Sequence, residues 1–363
     1  MSDLESKYTL FDSIEEMLAP ETLSHLLSKP VTHVDCHPFE DHGGVAGSRL
    51  SHVNTNVGRF VLKLMSSEFD WIMLSSGDQQ CRAVRLWQYG LLDQLRPYME
   101  HKILACAHHH GTWAILMDDI GEYVFKGSKQ MPPELISTFL DALARLHATF
   151  WNTPYLRDPR LGLCNEAQML ALSTPPMTQK YQHLSMGWVP KAIREGNEIL
   201  ERQFLDLDVL TYVQNLIENP QSFVDALRRY PYTLLHGDYR IANLAHQEPE
   251  QSVVFDWQLA TCSLMTIDLA WFVTEMNGDA RDGLSPEQAR NLYRERLETH
   301  LNIRFDDAIW QAMVELGALV HALRSIYIQA SLYKNAESPD QQAFWEIELN
   351  KCIQQIRDAI CWL

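Results

Sequence analysis

The stretch Leu234-Leu235-His236-Gly237-Asp238-Tyr239-Arg240-Ile241-Ala242-Asn243-Leu244, followed by Val253-Val254-Phe255-Asp256-Trp257, constrains this chain more than any other. It reads as apolar strand, polar loop, apolar residue, short turn, then a second apolar strand ending in an acid. Three oxygen-bearing side chains, Asp238, Asn243 and Asp256, therefore fall at the ends of two short strands that are expected to pair. The set suits a hard divalent cation. Magnesium takes one or two carboxylates and leaves its other positions to water and phosphate oxygens. An Asp with Asn five residues on, and a further Asp at the next strand end, is the machinery of kinase-type phosphoryl transfer.

Such a transfer needs the phosphates held, their charge neutralised and the attacking hydroxyl positioned. Each task has a candidate. Asp238 is the expected base, since a carboxylate within hydrogen-bond reach of the hydroxyl suffices. His236 braces the loop. Asn243 and Asp256 are the expected magnesium ligands. Arg240, two residues after Asp238, either contacts the transferring phosphate or pairs with a neighbouring carboxylate. Lys63 ends Phe60-Val61-Leu62-Lys63, an apolar strand that delivers one cation, the form taken by a lysine that grips phosphates. His42-Gly43-Gly44-Val45-Ala46-Gly47-Ser48 has the glycines needed to bring backbone N–H groups against phosphate, although alone it is a weak signal. His108-His109-His110 invites a metal reading, but consecutive turn residues point different ways and no partner ligand lies at the right spacing. His147 and the ten tryptophans read as packing.

The 363 residues suffice for two lobes with separate cores. Seven scattered cysteines with no C-x-x-C pair fit reduced cytosolic thiols, not a disulfide framework. A net charge of −17 excludes general nucleic-acid binding, which needs Lys and Arg against phosphate. No apolar run approaches the ~20 residues of a membrane span, and the N-terminus lacks the features of a secretory signal. A cytoplasmic protein is expected.

Along the chain, 9–28 has helical spacing broken by Pro20. Residues 31–65 turn strand-like around the Asn54–Gly58 turn. Residues 79–95 return to helix, and strands follow at 102–107 and 113–118. From Pro133 helix dominates, with an irregular, proline-rich stretch at 154–190. Helices are expected at 191–204, 208–229, 268–276, 286–301, 306–333 and 340–360.

His236-Gly237-Asp238-Tyr239-Arg240-Ile241-Ala242-Asn243-Leu244, Phe255-Asp256-Trp257 and Asp268-Leu269-Ala270 resemble the aminoglycoside phosphotransferase and choline kinase branch of the protein-kinase-like superfamily. Gly58–Leu64, Leu116-Met117-Asp118-Asp119-Ile120 and Leu146–Trp151 are softer matches in the same order. The resemblance runs from about residue 40 to 275. It implies an α+β, bilobal protein-kinase-like fold. Residues 1–118 would form a small antiparallel-sheet, nucleotide-binding N-lobe. Residues 119–363 would form a mostly helical C-lobe for catalysis and acceptor binding, with a helical cap insertion at about 152–230. It also implies Asp238 as base, Asn243 and Asp256 as magnesium ligands, and Lys63 on the phosphates. Asp268 would steady the catalytic loop, and the adenine would lie against the hinge near residues 117–121, which include Asp118 and Asp119.

Two departures stand out. The helix position that should carry the glutamate partner of the strand lysine is Ala83, leaving Asp78 and Glu68 as nearby acids. The usual Gly-Asp-Pro before Asp-Leu-Ala is replaced by Ser263-Leu264-Met265.

The expected activity is transfer of the γ-phosphate from ATP, with GTP as the other candidate donor, to the hydroxyl of a small acceptor. A cationic acceptor is among the candidates, held by Glu275, Asp279 and Asp282. The alternative is a catalytically silent kinase-like protein that binds a nucleotide or partner, for which the missing glutamate is the argument. A protein kinase is less favoured. Trp257-Gln258 stands after Asp256 in place of Phe-Gly, and no Ala-Pro-Glu follows.

Overall fold

The computed structural model describes residues 4–39, 46–125, 131–184, 187–204, 207–247, 251–275 and 284–363. The chain enters through two short helices, α1 (Ile14–Met17) and α2 (Pro20–Leu27), then builds strands β1 (Val34–Pro38), β2 (Arg49–Thr55) and β3 (Gly58–Met65). Helices α3 (Trp71–Ser75) and α4 (Arg82–Gln88) and a two-residue strand, β4 (Met99–Glu100), precede the hairpin of β5 (Ile103–His109) and β6 (Thr112–Asp118). Five of these strands form one sheet in the order β1-β2-β3-β6-β5, antiparallel throughout.

Period-two alternation gives the sheet two apolar faces. Phe60 and Leu62 of β3, with Ala114 and Leu116 of β6 and Val53 of β2, pack outward against Met17 and Leu23 of the first two helices. Met65, Trp113, Ile115, Ile103 and Cys106 face the other way and join the main core of the molecule. Lys63 shares this inner face and pairs in register with Ile115. The strand thus delivers this lysine to the side where the rest of the chain packs.

The remainder is mostly helical. It comprises α5 (Pro133–Thr149), α6 (Glu166–Ala171), α7 (Pro175–Lys180), α8 (Trp188–Ile199), α9 (Leu207–Glu218) and α10 (Gln221–Arg228). Short strands β7 (Thr233–Leu235), β8 (Leu244–Gln247), β9 (Gln251–Val254) and β10 (Thr261–Ser263) come next. The chain closes with α11 (Thr266–Glu275), α12 (Pro286–Leu301), α13 (Asp307–Lys334) and α14 (Pro339–Ala359). Buried along most of its length, α13 packs against α8, α11 and α14. This is the bilobal α+β arrangement expected of the sequence.

Several local readings change. The helix expected over 79–95 spans only Arg82–Gln88, because Gly90 in the left-handed region (φ 69°) ends it and a 3-10 turn follows at 92–95. The helix expected over 208–229 is two, divided at Pro220, which cannot continue the first helix's hydrogen-bond ladder. The two strands bearing Asp238 and Asp256 do not pair with each other. β7 pairs with β10, while β9 pairs with β8 and, in parallel, with β4. No helix among the described residues is long and apolar enough to cross a membrane.

Candidate active site

The His236-Gly237-Asp238 turn leaves β7 and is clamped from below. The Asp268 carboxylate, fully buried at the start of α11, accepts the His236 N–H at 2.7 Å and the Gly237 N–H at 2.8 Å. His147 on α5 stands behind Asp268, with Nε2 at 3.4 Å from it and Nδ1 at 2.6 Å from the Tyr293 hydroxyl. Gly237 has φ +80°, and a Cβ there would run into the Leu259 carbonyl, so only glycine allows this approach. The His236 ring bridges to the second strand. Its Nε2 lies 2.9 Å from the Phe255 carbonyl, which can only accept, so Nε2 carries the proton and Nδ1 accepts the Asp238 N–H at 3.3 Å. Tyr239 is buried, and its hydroxyl donates to the Phe139 carbonyl of α5 at 2.9 Å.

On this fixed turn, Asp238 Oδ2 accepts from Asn243 Nδ2 at 2.8 Å and from Arg240 Nε at 3.1 Å. The same Asn243 nitrogen reaches the Asp238 carbonyl at 2.9 Å. Asp256 follows β9 in the left-handed region (φ 67°), an uncommon conformation for a residue with a side chain. One of its oxygens accepts from Lys63 Nζ at 2.8 Å. Burial alone raises the Asp256 carboxyl, but the Lys63 ammonium, with His236 and Arg240, brings it below the usual carboxylate range. Lys63 from the sheet is thus paired with Asp256, and the Asp238–Asn243 pair lies on the neighbouring turn, tied to it by the Phe255 N–H bond to the Asn243 carbonyl at 3.2 Å.

Residues 41–305 match the model of the phosphotransferase enzyme family, well over half of the chain. The chain belongs to that family. No curated protein matches the sequence. Among solved structures, a microcompartment-associated aminopropanol kinase is 12% identical and superposes with a TM-score of 0.52, covering 93% of this chain and 96% of that one. A choline kinase from Cryptosporidium parvum is 10% identical with a TM-score of 0.51, covering 90% of each chain. At these identities the likeness is one of fold, the protein-kinase-like one.

The remaining expected residues of this phosphotransferase are placed as follows. Gly47 and Ser48 stand just before β2, where the Ser48 hydroxyl donates to Asp70. His42, Gly43 and Gly44 lie outside the described residues. Asp118 ends β6, and Asp119 is engaged internally by the Arg59 guanidinium and by the Gly121 N–H at 2.9 Å. The Asp119 carboxylate is thus committed within the protein. His108 stacks on Trp113, with centroids 3.8 Å apart, and caps the β5–β6 hairpin. Among the described residues no three His, Cys, Asp or Glu side chains gather as a metal cluster. The Glu275 side chain, Asp279 and Asp282 lie outside the described residues.

For a cation, the donors at hand are the side-chain oxygen of Asn243 and the second carboxylate oxygen of Asp256, a third of whose side chain is exposed. An amide oxygen and a carboxylate oxygen are the donor types that magnesium takes, its other positions being left to water and phosphate.

The nearby acids do not serve Lys63. Asp78 accepts the Arg82 backbone N–H at 3.0 Å and sits beside the Arg82 guanidinium, while Glu68 is exposed. Lys63 Nζ instead reaches Gln258 Oε1 at 2.6 Å, and Gln258 Nε2 donates to Asp70 at 2.9 Å. Sequence reasoning noted Gln258 only as a departure and missed Asp70, although an Asp three residues before an apolar helical position is a capping signal. It also missed Arg324, whose Nη1 donates to the Gly237 carbonyl at 2.7 Å. Arg324 is the sole Lys or Arg from Asp307 to Tyr333, and a lone cation in a long apolar helix was the available clue. Ser263-Leu264-Met265 needs no special loop. Ser263 ends β10, and Leu264 and Met265 are buried in the core.

Proposed function

We propose that the protein transfers the γ-phosphate of ATP, aided by magnesium, to a hydroxyl of a small acceptor. The observation that carries the reading is the Asp238–Asn243 pair on a turn clamped by Asp268, with the Lys63–Asp256 pair at the end of the next strand. Asn243 and Asp256 would hold the metal, which when bound neutralises phosphate charge. Asp238 orients the acceptor hydroxyl and takes its proton. One oxygen of Asp238 is committed to Asn243 and Arg240, so the other is the one that faces the hydroxyl. Lys63 grips the donor phosphates. Arg240, tied to Asp238, stands where it can share charge with the transferring group. His236 holds the turn to the end of β9. The chemistry lies in positioning and electrostatics, so the loop's rigidity is itself the main requirement.

Against the silent alternative, for which the absent glutamate is the argument, speaks the holding of Lys63 by Asp256 and Gln258. The test is a phosphotransfer screen with ATP and magnesium against amino-alcohols, choline-like amines, aminoglycosides, macrolides, sugars and steroid-like alcohols. A stoichiometric ADP and phosphoester yield with at least one alcohol is expected. Tight nucleotide binding with no transfer to any of them would revive the silent reading.

A further inference from the structure

The phosphate-gripping lysine of this chain has no glutamate opposite it, because α4 carries Ala83 there. Lys63 is nonetheless among the most enclosed cations of the molecule, and a buried ammonium without a partner is costly. Its neighbours form a chain of hydrogen bonds across three segments. Lys63 Nζ donates to Gln258 Oε1 at 2.6 Å, and Gln258 Nε2 donates to Asp70 Oδ2 at 2.9 Å. The same Asp70 oxygen accepts the Ser48 hydroxyl. The other accepts the Met73 N–H at 3.0 Å, where Asp70 caps α3. Asp70 is fully buried and Gln258 nearly so. The Gln258 backbone is pinned as well, since its carbonyl accepts Arg82 Nη1 at 3.1 Å.

We propose that Gln258 is the positioning residue for Lys63, and that Asp70, one hydrogen bond behind it, supplies the negative charge that a glutamate on α4 would bring. The proposal rests on the phosphotransferase reading for the task of Lys63. The counter-charge reaches the lysine through a neutral amide, whose oxygen faces the ammonium and whose nitrogen faces the carboxylate. Only one orientation of the amide satisfies both neighbours, so the relay has a fixed polarity. Asp256 also bonds Lys63, but Asp256 is the expected metal ligand. Gln258 has no second task in the transfer and can hold the lysine throughout.

The placement explains the residue types. A carboxylate at position 258 would stand one hydrogen bond from Asp70 and near Asp256, placing three acids around one ammonium. An amide keeps the link and avoids the repulsion. Ala83 lines the same small cavity as Lys63, Asp256 and Gln258, of about 20 Å³, so the α4 position that would carry the acid leaves its space to Gln258. Ser48 extends the relay to the residues just ahead of β2.

An exchange of acid and amide tests this in the full-length protein. Gln258→Glu, Asp70→Asn and the double variant are compared by calorimetric binding of ATP with magnesium, and by KM and kcat with the best acceptor. Gln258→Glu sets two carboxylates against each other, and Asp70→Asn sets two amides together without the charge. Each single change is expected to weaken ATP binding by ~10-fold, or about 1.4 kcal/mol. The double variant restores one acid and one amide in reversed order and is expected to return to within ~3-fold of the parent, a coupling that independent sites do not show. Singles that bind ATP like the parent, or a double as weak as both losses combined, overturn the proposal. If the singles do not fold, Gln258→Met, of similar volume, carries the test. A KM for ATP raised ~10-fold with kcat changed less supports the proposal, and an unchanged KM overturns it. A parent protein that binds ATP but phosphorylates nothing defeats the phosphotransfer reading and leaves the binding cycle intact. One that binds no nucleotide defeats both.

Discussion

At the scale of single residues, Asp268 illustrates how much of the site is support. Two backbone N–H groups of the catalytic turn point at its two oxygens. In Asp268→Asn one of those N–H groups would face an amide nitrogen instead of an acceptor. A buried donor left unpaired costs about 1–3 kcal/mol. Urea unfolding should show a loss of that order, with turnover down by ~10-fold from the loosened turn. Unchanged stability and turnover would show that the clamp is dispensable. The His236-Gly237-Asp238 turn was legible because the residue types around it answer to chemistry: an acid, an amide and a second acid at the spacing of a kinase-type loop. The partners of Lys63 were not. They depend on which side chains the folded chain brings around one strand, and Asp70, Gln258 and Lys63 come from three separate segments.

Elements sort in the same way. The long helices α5, α12, α13 and α14 start and stop close to where periodicity and caps place them, with Ser285, Asp306 and Ser338 accepting first-turn N–H groups. The short strands were visible but their pairing was not. β7 and β10 have three residues each, too few for alternation to name a partner, and Thr261-Cys262-Ser263 carries no apolar pattern. Helix contacts also hide in single small residues. On α8, Gly196 lies so close to α13 that an added Cβ would meet the Tyr327 carbonyl. Gly196→Ala should therefore push the two helices apart, despite alanine's better helix propensity, and cost ~1–3 kcal/mol in denaturant unfolding. A more stable variant would mean that the crossing yields freely.

For the whole molecule, stability and activity meet in α13, which carries Arg324 beneath the catalytic turn and His321 one helical turn earlier. Burial, reinforced by the Arg324 charge, pushes the His321 imidazole down to about 4, against a partial opposing effect of Gln355. The folded protein thus keeps His321 neutral where the unfolded chain would protonate it near ~6.5. Its contribution is full above that value and is lost as pH falls toward 4. Replacing it by His321→Asn should reduce the drop in unfolding free energy between pH 7 and 4.5 by roughly 2–3 kcal/mol. The same pH dependence in both proteins would place the acid sensitivity elsewhere.

The account as a whole holds that sheet and helical half meet in order to set Asp238 beside a hydroxyl while the phosphates are held by other residues. Asp238→Asn separates those tasks. With saturating ATP and magnesium and the best acceptor, transfer should fall by ~10²-fold or more, the range of a positioned acid–base group, while ATP affinity stays within ~3-fold of the parent. Transfer near the parent rate would contradict the assignment of Asp238 as the base.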